Sequence, residues 1–288
     1  MTHCQESIPA SFVQQDMWIG ERMGAGLTYH MPLAVWFEGE LDVPALLGAC
    51  AKVIARHPVL STAVAESCDG LRLVPAAAPP VTCAEPADPS PAALDRLIRQ
   101  ESTREFDLVK GPPARFTLVP AGPDRHLLLF VAHHLVFDGI SKDILVRDLA
   151  RFYASPEAAE PLPFTWQEPG ADTLEAAREF WAARWSEPAD LVLPRQRRTG
   201  RRFGPGEQID AGLDRDLTAA AAKAAAETGA STFEVLLAGM HALLFRYGTG
   251  DVAVAIDVTT RGPATRDHIG PFVGELPVLS RPEGGRSF

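Results

Sequence analysis

The feature that most constrains this chain is an apolar run, Leu127 to Ala132, that leads directly into His133-His134-Leu135-Val136-Phe137-Asp138-Gly139. A short continuous apolar run reads as a strand buried on both faces. Immediately afterwards Ile140, Ile144, Leu145, Leu149 and Phe152 recur with the helical period, so the heptapeptide occupies a strand-to-helix turn. The chain holds only eight histidines, and two side by side at a strand end, followed by Asp-Gly, point to chemistry. Side chains alternate across a strand, so His133 and His134 face opposite sides of the backbone and only one of them meets a given cleft. Neighbouring strand residues cannot readily share one ion, and no His-x-His or His-x3-His spacing accompanies the pair. No metal is expected.

The other elements alternate along the chain without internal repeats. Asp42 and Pro44 mark a helix start, with Leu46, Cys50, Val53 and Ile54 as its buried stripe. Leu71 to Pro75 and Ala114 to Pro120 read as strands, and Ala92 to Glu105 as a helix after two Pro-rich connectors. A stretch rich in Pro and Gly, Ser155 to Asp172, reads as a boundary between lobes. Beyond it we expect a helix from Leu174 to Trp185, whose Phe180, Trp181 and Trp185 pack in a core or between lobes, and a strand near Glu207 to Leu213. Helices from Asp214 to Glu227 and Ser231 to Tyr247 follow, and Asp251 to Asp257 reads as a buried strand.

With these elements in place, the heptapeptide resembles the HHxxxDG signature of condensation domains of nonribosomal peptide synthetases, in the chloramphenicol acetyltransferase-like superfamily. Three further segments agree in order. Ser11 to Trp18 resembles the family's SxAQxRMW, Arg56 to Thr62 its RHExLRT, and Ile269 to Pro277 its IGxFVNT. Asp16, Ser61 and Gly274-Glu275 depart from those patterns. The resemblance implies an α/β, two-lobed chloramphenicol acetyltransferase-like fold, with the first lobe complete and the second partial. Residues 1–170 would form the N-terminal lobe carrying the motif, and 171–288 the interlobe linker and partial C-terminal lobe.

It also implies the chemistry: an amide forms when the amine of a downstream aminoacyl thioester attacks an upstream acyl or peptidyl thioester, both tethered to carrier proteins. His134, Asp138 and Gly139 are the expected catalytic set, with His134 as the group that meets the amine and His133 and Arg261 as structural support. A histidine's ordinary pKa of roughly 6.5 suits it to accept a proton near neutrality, and positioning the amine or stabilising the tetrahedral intermediate are equal alternatives. His133 is expected to pack and fix the strand end. Asp138 holds the turn, paired with Arg261 as the family commonly pairs it, and Gly139 either clears the substrate path or permits the turn, with its amide near a developing oxyanion. The alternatives are a non-catalytic module that recruits a carrier protein or tailoring enzyme, and a free-standing acyltransferase. An epimerization domain typically carries a Trp soon after the motif's Gly, and Ile140-Ser141-Lys142 lacks it.

Composition bounds the partners. A formal net charge of -10 argues against nucleic acid. One basic segment, Pro194 to Arg202, would meet an acidic carrier surface or a phosphopantetheine phosphate, or form a solvated linker. The most apolar stretch, Phe233 to Phe245, carries Glu234 and His241, so no membrane span is expected. The N-terminus lacks a cationic start and an apolar segment, and the four cysteines form no CxxC pair. A cytoplasmic location with reduced thiols is expected. No cofactor would be permanently bound, since the substrates arrive on phosphopantetheine arms of donor and acceptor peptidyl carrier proteins. A partial second lobe would leave apolar surface and favour self-association.

Overall fold

The apolar run becomes the inner strand of a sheet in the computed structural model, which describes residues 7–84, 90–155, 158–165, 169–187, 190–194 and 209–281. Contacts divide the chain into two units, Met1–Glu168 with Thr259–Val273, and Pro169–Val258 with Gly274–Phe288. Residues 259–273, which the linear reading places in the second lobe, thus belong with the first unit.

In the first unit the strands are β1 (Ile8–Pro9), β2 (His30–Glu38), β3 (Thr62–Ser67), β4 (Gly70–Pro75), β5 (Val81–Cys83), β6 (Ala114–Gly122) and β7 (Arg125–His133). The helices are α1 (Phe12–Arg22), α2 (Val43–Arg56), α3 (Pro91–Thr103) and α4 (Gly139–Ala154). One sheet runs β2-β7-β6-β5 and a smaller one β1-β4-β3. Strand β7 is antiparallel to both neighbours, and its register sets His30 opposite His133 and Phe130 opposite Phe116.

The continuous apolarity of β7 follows from burial on both faces. Leu128, Phe130 and Ala132 join the main core with Leu46 and Val53 of α2 and Ile144, Leu145 and Phe152 of α4. The alternate residues Leu127, Leu129 and Val131 pack with Val119 and with Leu94 of α3. Aromatic rings then carry the packing up to the motif: Phe130 lies 4.7 Å from Phe116 and 4.9 Å from Phe137, centroid to centroid, at tilted angles.

The second unit contains α5 (Ala171–Arg184), α6 (Arg215–Thr228), α7 (Thr232–Arg246) and a two-stranded sheet of β8 (Val252–Thr259) and β9 (Val273–Ser280), whose ends reach the first unit. Gly229 closes α6 with a φ of 68°, a left-handed cap that a residue with Cβ resists, and Ser231 opens α7 through a capping box with Glu234. Two expectations are corrected here. Ile209 to Leu213 form no strand, being exposed and outside all three sheets, while Glu207 and Gln208 lie outside the described residues. Helix α5 buries no residue, and Phe180 and Trp185 are exposed rather than core. The basic segment from Arg195 to Arg202 also lies outside the described residues. Among those described, no single helix is long and apolar enough to cross a membrane; α6 and α7 pass only as a pair, bent by 102° at their junction.

Because Phe130 is fully buried and touches both sheet and motif turn, Phe130→Ala is expected to destabilise the protein by about 3–5 kcal/mol. Urea unfolding followed by tryptophan fluorescence measures the change.

Candidate active site

Strand β7 ends at His133, and His134 begins a 3-10 turn, His134–Val136, that leads into α4. The two rings consequently have different surroundings. His133 is buried, accepting the Leu135 N–H at Nδ1 (3.1 Å) and facing Glu21 Oε1 of α1 across 3.1 Å from Nε2. Accepting at Nδ1 requires that nitrogen to be unprotonated, so Nε2 carries the proton and donates its hydrogen bond to Glu21. His134 is half-buried, its Nδ1 is shielded from solvent, and its ring makes no hydrogen bond among the described residues.

Asp138 is the N-cap of α4 and is almost fully buried. Its Oδ1 accepts from the Ser141 N–H (2.7 Å), the Ser141 hydroxyl (2.7 Å) and Arg261 Nη2 (2.8 Å). Its Oδ2 accepts from Arg261 Nη2 (3.0 Å) and the Phe272 N–H (3.0 Å). The Arg261 guanidinium also donates to the carbonyls of Thr265 and His268 and lies over the Phe272 ring. Ser141 Oγ is 3.2 Å from both the carbonyl and the N–H of Gly270. The first turn of α4 and the segment 259–273 are therefore joined through one carboxylate. Gly270 is required for this fit, since a Cβ there would meet the Phe164 and Phe272 rings at 2.8 Å.

Gly139 requires a correction. It begins α4 without a positive φ, and an added Cβ would meet nothing within 4 Å, so the turn itself does not demand glycine. Open space in front of a helix N-terminus is what remains at this position, and the first amides of a helix have no partner within it.

A second polar cluster supports the same segment. His57, the C-cap of α2, is fully buried. Its Nδ1 accepts the Ile269 N–H (3.3 Å) and its Nε2 faces Asp148 Oδ2 of α4 (2.9 Å). Arg56 and Arg147 also bind Asp148, and Arg147 reaches Asp267 at 2.7 Å. Burial pushes the His57 pKa down, against the opposing hydrogen bond to and charge of Asp148. For Asp148, burial acts upward, but the His57 hydrogen bond and the Arg147 charge prevail and hold the carboxyl below its usual range. Among the described residues no group of three His, Cys, Asp or Glu is placed to hold a metal ion.

Sequence reasoning singled out His133, His134, Asp138, Gly139 and Arg261, and the structure brings all five to one turn. It missed the partners Glu21 and Ser141, and the His57–Asp148 pair that holds the same 259–273 segment. Ser141 stands three residues after Asp138, the spacing at which an N-cap side chain meets a backbone N–H, and that signal was available.

Two measurements test this arrangement. Arg261→Met strands a buried carboxylate and is expected to cost about 3 kcal/mol, whereas adding Asp138→Asn should recover part of the loss. A double-mutant cycle should show non-additivity of at least about 1 kcal/mol. His57 must be neutral to accept the Ile269 N–H, so its stabilisation is complete above the ordinary histidine pKa of about 6.5 and is lost as pH falls through that value towards the lower folded-state value. His30, His241 and His268, also shifted down by burial, act in the same sense. The urea midpoint should therefore fall between pH 8 and pH 5, and fall less in His57→Gln.

The family model of the condensation domain matches residues 4–288. A probable non-canonical nonribosomal peptide synthetase of Salinispora arenicola is 33% identical over 310 residues, which cover 98% of this chain and 4% of that protein. Gramicidin S synthase 2 of Brevibacillus brevis is 30% identical over 311 residues, covering 99% of this chain and 7% of that one. The chain thus spans less than a tenth of the length of these relatives. Among solved structures, a four-domain nonribosomal peptide synthetase bound to AMP and glycine superposes with a TM-score of 0.86 at 17% identity, over 98% of this chain and 23% of that chain. The α/β fold is accordingly that of condensation domains.

Proposed function

The chain belongs to the condensation-domain family, and on that premise we propose that it joins two carrier-tethered substrates through an amide bond. The amine of an aminoacyl thioester on the acceptor carrier attacks the carbonyl of an acyl or peptidyl thioester on the donor carrier. The tetrahedral intermediate then expels the phosphopantetheine thiolate, which leaves with the proton that the amine gives up. The thioester supplies the driving force, and the protein supplies proximity and orientation. The reaction takes place in the cytoplasm.

His134 is the group assigned to the amine, either receiving its proton or orienting its lone pair. The observation that carries this reading is the division of labour within the motif. His133 and Asp138 spend their polar atoms on structural hydrogen bonds, while the His134 ring spends none among the described residues. The open space at Gly139, at the N-terminus of α4, is where an oxyanion would be received. His133 and Arg261 are supports of the site rather than reactive groups.

The test loads a purified donor carrier with an acyl thioester and an acceptor carrier with an aminoacyl thioester and follows amide formation by mass spectrometry. His134→Ala should lower turnover by at least about 100-fold while the circular dichroism spectrum is unchanged. Undiminished turnover by a folded His134→Ala protein would falsify the assignment.

A further inference from the structure

We propose that α1 is the positioning helix of the site, with Gln14 and Glu21 holding Leu135, the residue that follows His134, from both of its peptide groups. The inference rests on the reading of His134 given above. Gln14 is fully buried, and its Nε2 donates to the Leu135 carbonyl at 2.9 Å. Its Oε1 accepts the Ser11 N–H at 2.9 Å, so both ends of the amide are committed and its direction is fixed. Glu21 acts on the other side through a ring: it faces His133 Nε2, and His133 Nδ1 accepts the Leu135 N–H.

Seven residues separate Gln14 from Glu21, close to two helical turns, which puts them on one face of α1. The helix is itself anchored. Met17 is buried between them, a capping box closes the N-terminus, and Trp18 Nε1 donates to Glu66 Oε1 of β3 at 2.8 Å. Because the His134 ring makes no hydrogen bond among the described residues, the backbone of the three-residue turn, which sets where its Cβ points, has the larger part in placing it, and that backbone is held at Leu135. Glu21 further selects the His133 tautomer. With the proton kept at Nε2, Nδ1 remains an acceptor; without Glu21 the ring is free to protonate Nδ1 and release the Leu135 N–H. Neither residue touches the reacting atoms in this account, so both are positioning residues.

The experiment combines long-range proton–nitrogen NMR of the histidine rings with turnover of the carrier-bound thioesters, in Glu21→Leu, Glu21→Gln, Gln14→Met and His134→Ala. Glu21→Leu should move His133 Nδ1 from an acceptor to a protonated nitrogen and shift the His134 ring signals. It should lower kcat on the order of 10- to 100-fold with KM nearly unchanged, as expected for a misdirected group rather than lost binding. Gln14→Met should shift the His134 signals and lower kcat without changing the His133 tautomer. Glu21→Gln, whose side-chain oxygen still accepts from Nε2, should retain the wild-type tautomer and turnover. The proposal is overturned if folded Glu21→Leu keeps both the His134 signals and kcat, or if Glu21→Gln loses as much as Glu21→Leu. Should Gln14→Met fail to fold, the Glu21 pair decides alone. If His134→Ala remains active, the reading of the site falls instead, and the ring signals still decide whether α1 holds the turn.

Discussion

The carboxylate of Asp138 is where separate parts of the sequence meet, and four groups donate to it: two from Ser141, one from Arg261 and one from the Phe272 backbone. A buried carboxylate is tolerable only when it is surrounded in this way, because an ionised group withdrawn from water costs several kcal/mol that few donors would not return. The requirement works in reverse as well. Once the charge is there, the chain must bring the 259–273 segment to α4, and Gly270 must be small enough for Phe164 and Phe272 to pass. His57 and Asp148 hold the same segment at a second point, through the Ile269 amide and the ion pair of Arg147 with Asp267.

The local parts of this design were legible in the residues. The β7 run, the period of α4, and the cap spacings of α2 and α4 each depend on contacts within a few residues, so the pattern displays them directly. Strand β2 was not seen, although it is the hydrogen-bonded neighbour of β7: its apolar run, Met31 to Phe37, contains Pro32, and a proline inside a run argues against a paired strand. The strand expected near Glu207 to Leu213 was read from local character alone, and its described part, Ile209 to Leu213, lies in no sheet. For the site, the motif named its residues but not their obligations. That Glu21 rather than another acid meets His133, or that His57 spends a nitrogen on the Ile269 backbone, depends on contacts more than 100 residues apart in the chain. No local spacing encodes those contacts.

The two adjacent histidines show how one residue type takes opposite parts within a single peptide step. The change from strand to 3-10 turn at His133 separates them, and from that point their environments differ: a carboxylate and a backbone amide around one ring, no hydrogen-bonding partner among the described residues around the other. Burial separates them only in degree, His133 being buried and His134 half-buried. The count of committed nitrogens separates them in kind.

The first unit is discontinuous in sequence, closing only with Thr259–Val273, and this has a consequence for synthesis. A ribosome that has finished the codon for Glu168 has made every strand of the main sheet, yet neither Arg261 nor the Ile269 amide exists. At about 5–20 residues per second, residues 169–273 take on the order of 5–20 s to appear. During that interval the nascent sheet carries Asp138 without its cation and His57 without the peptide that closes over it. The first unit is thus synthesised with β7 before its keystone, and a chaperone binding in that window would meet Asp138 before Arg261 and Phe272 exist to surround it.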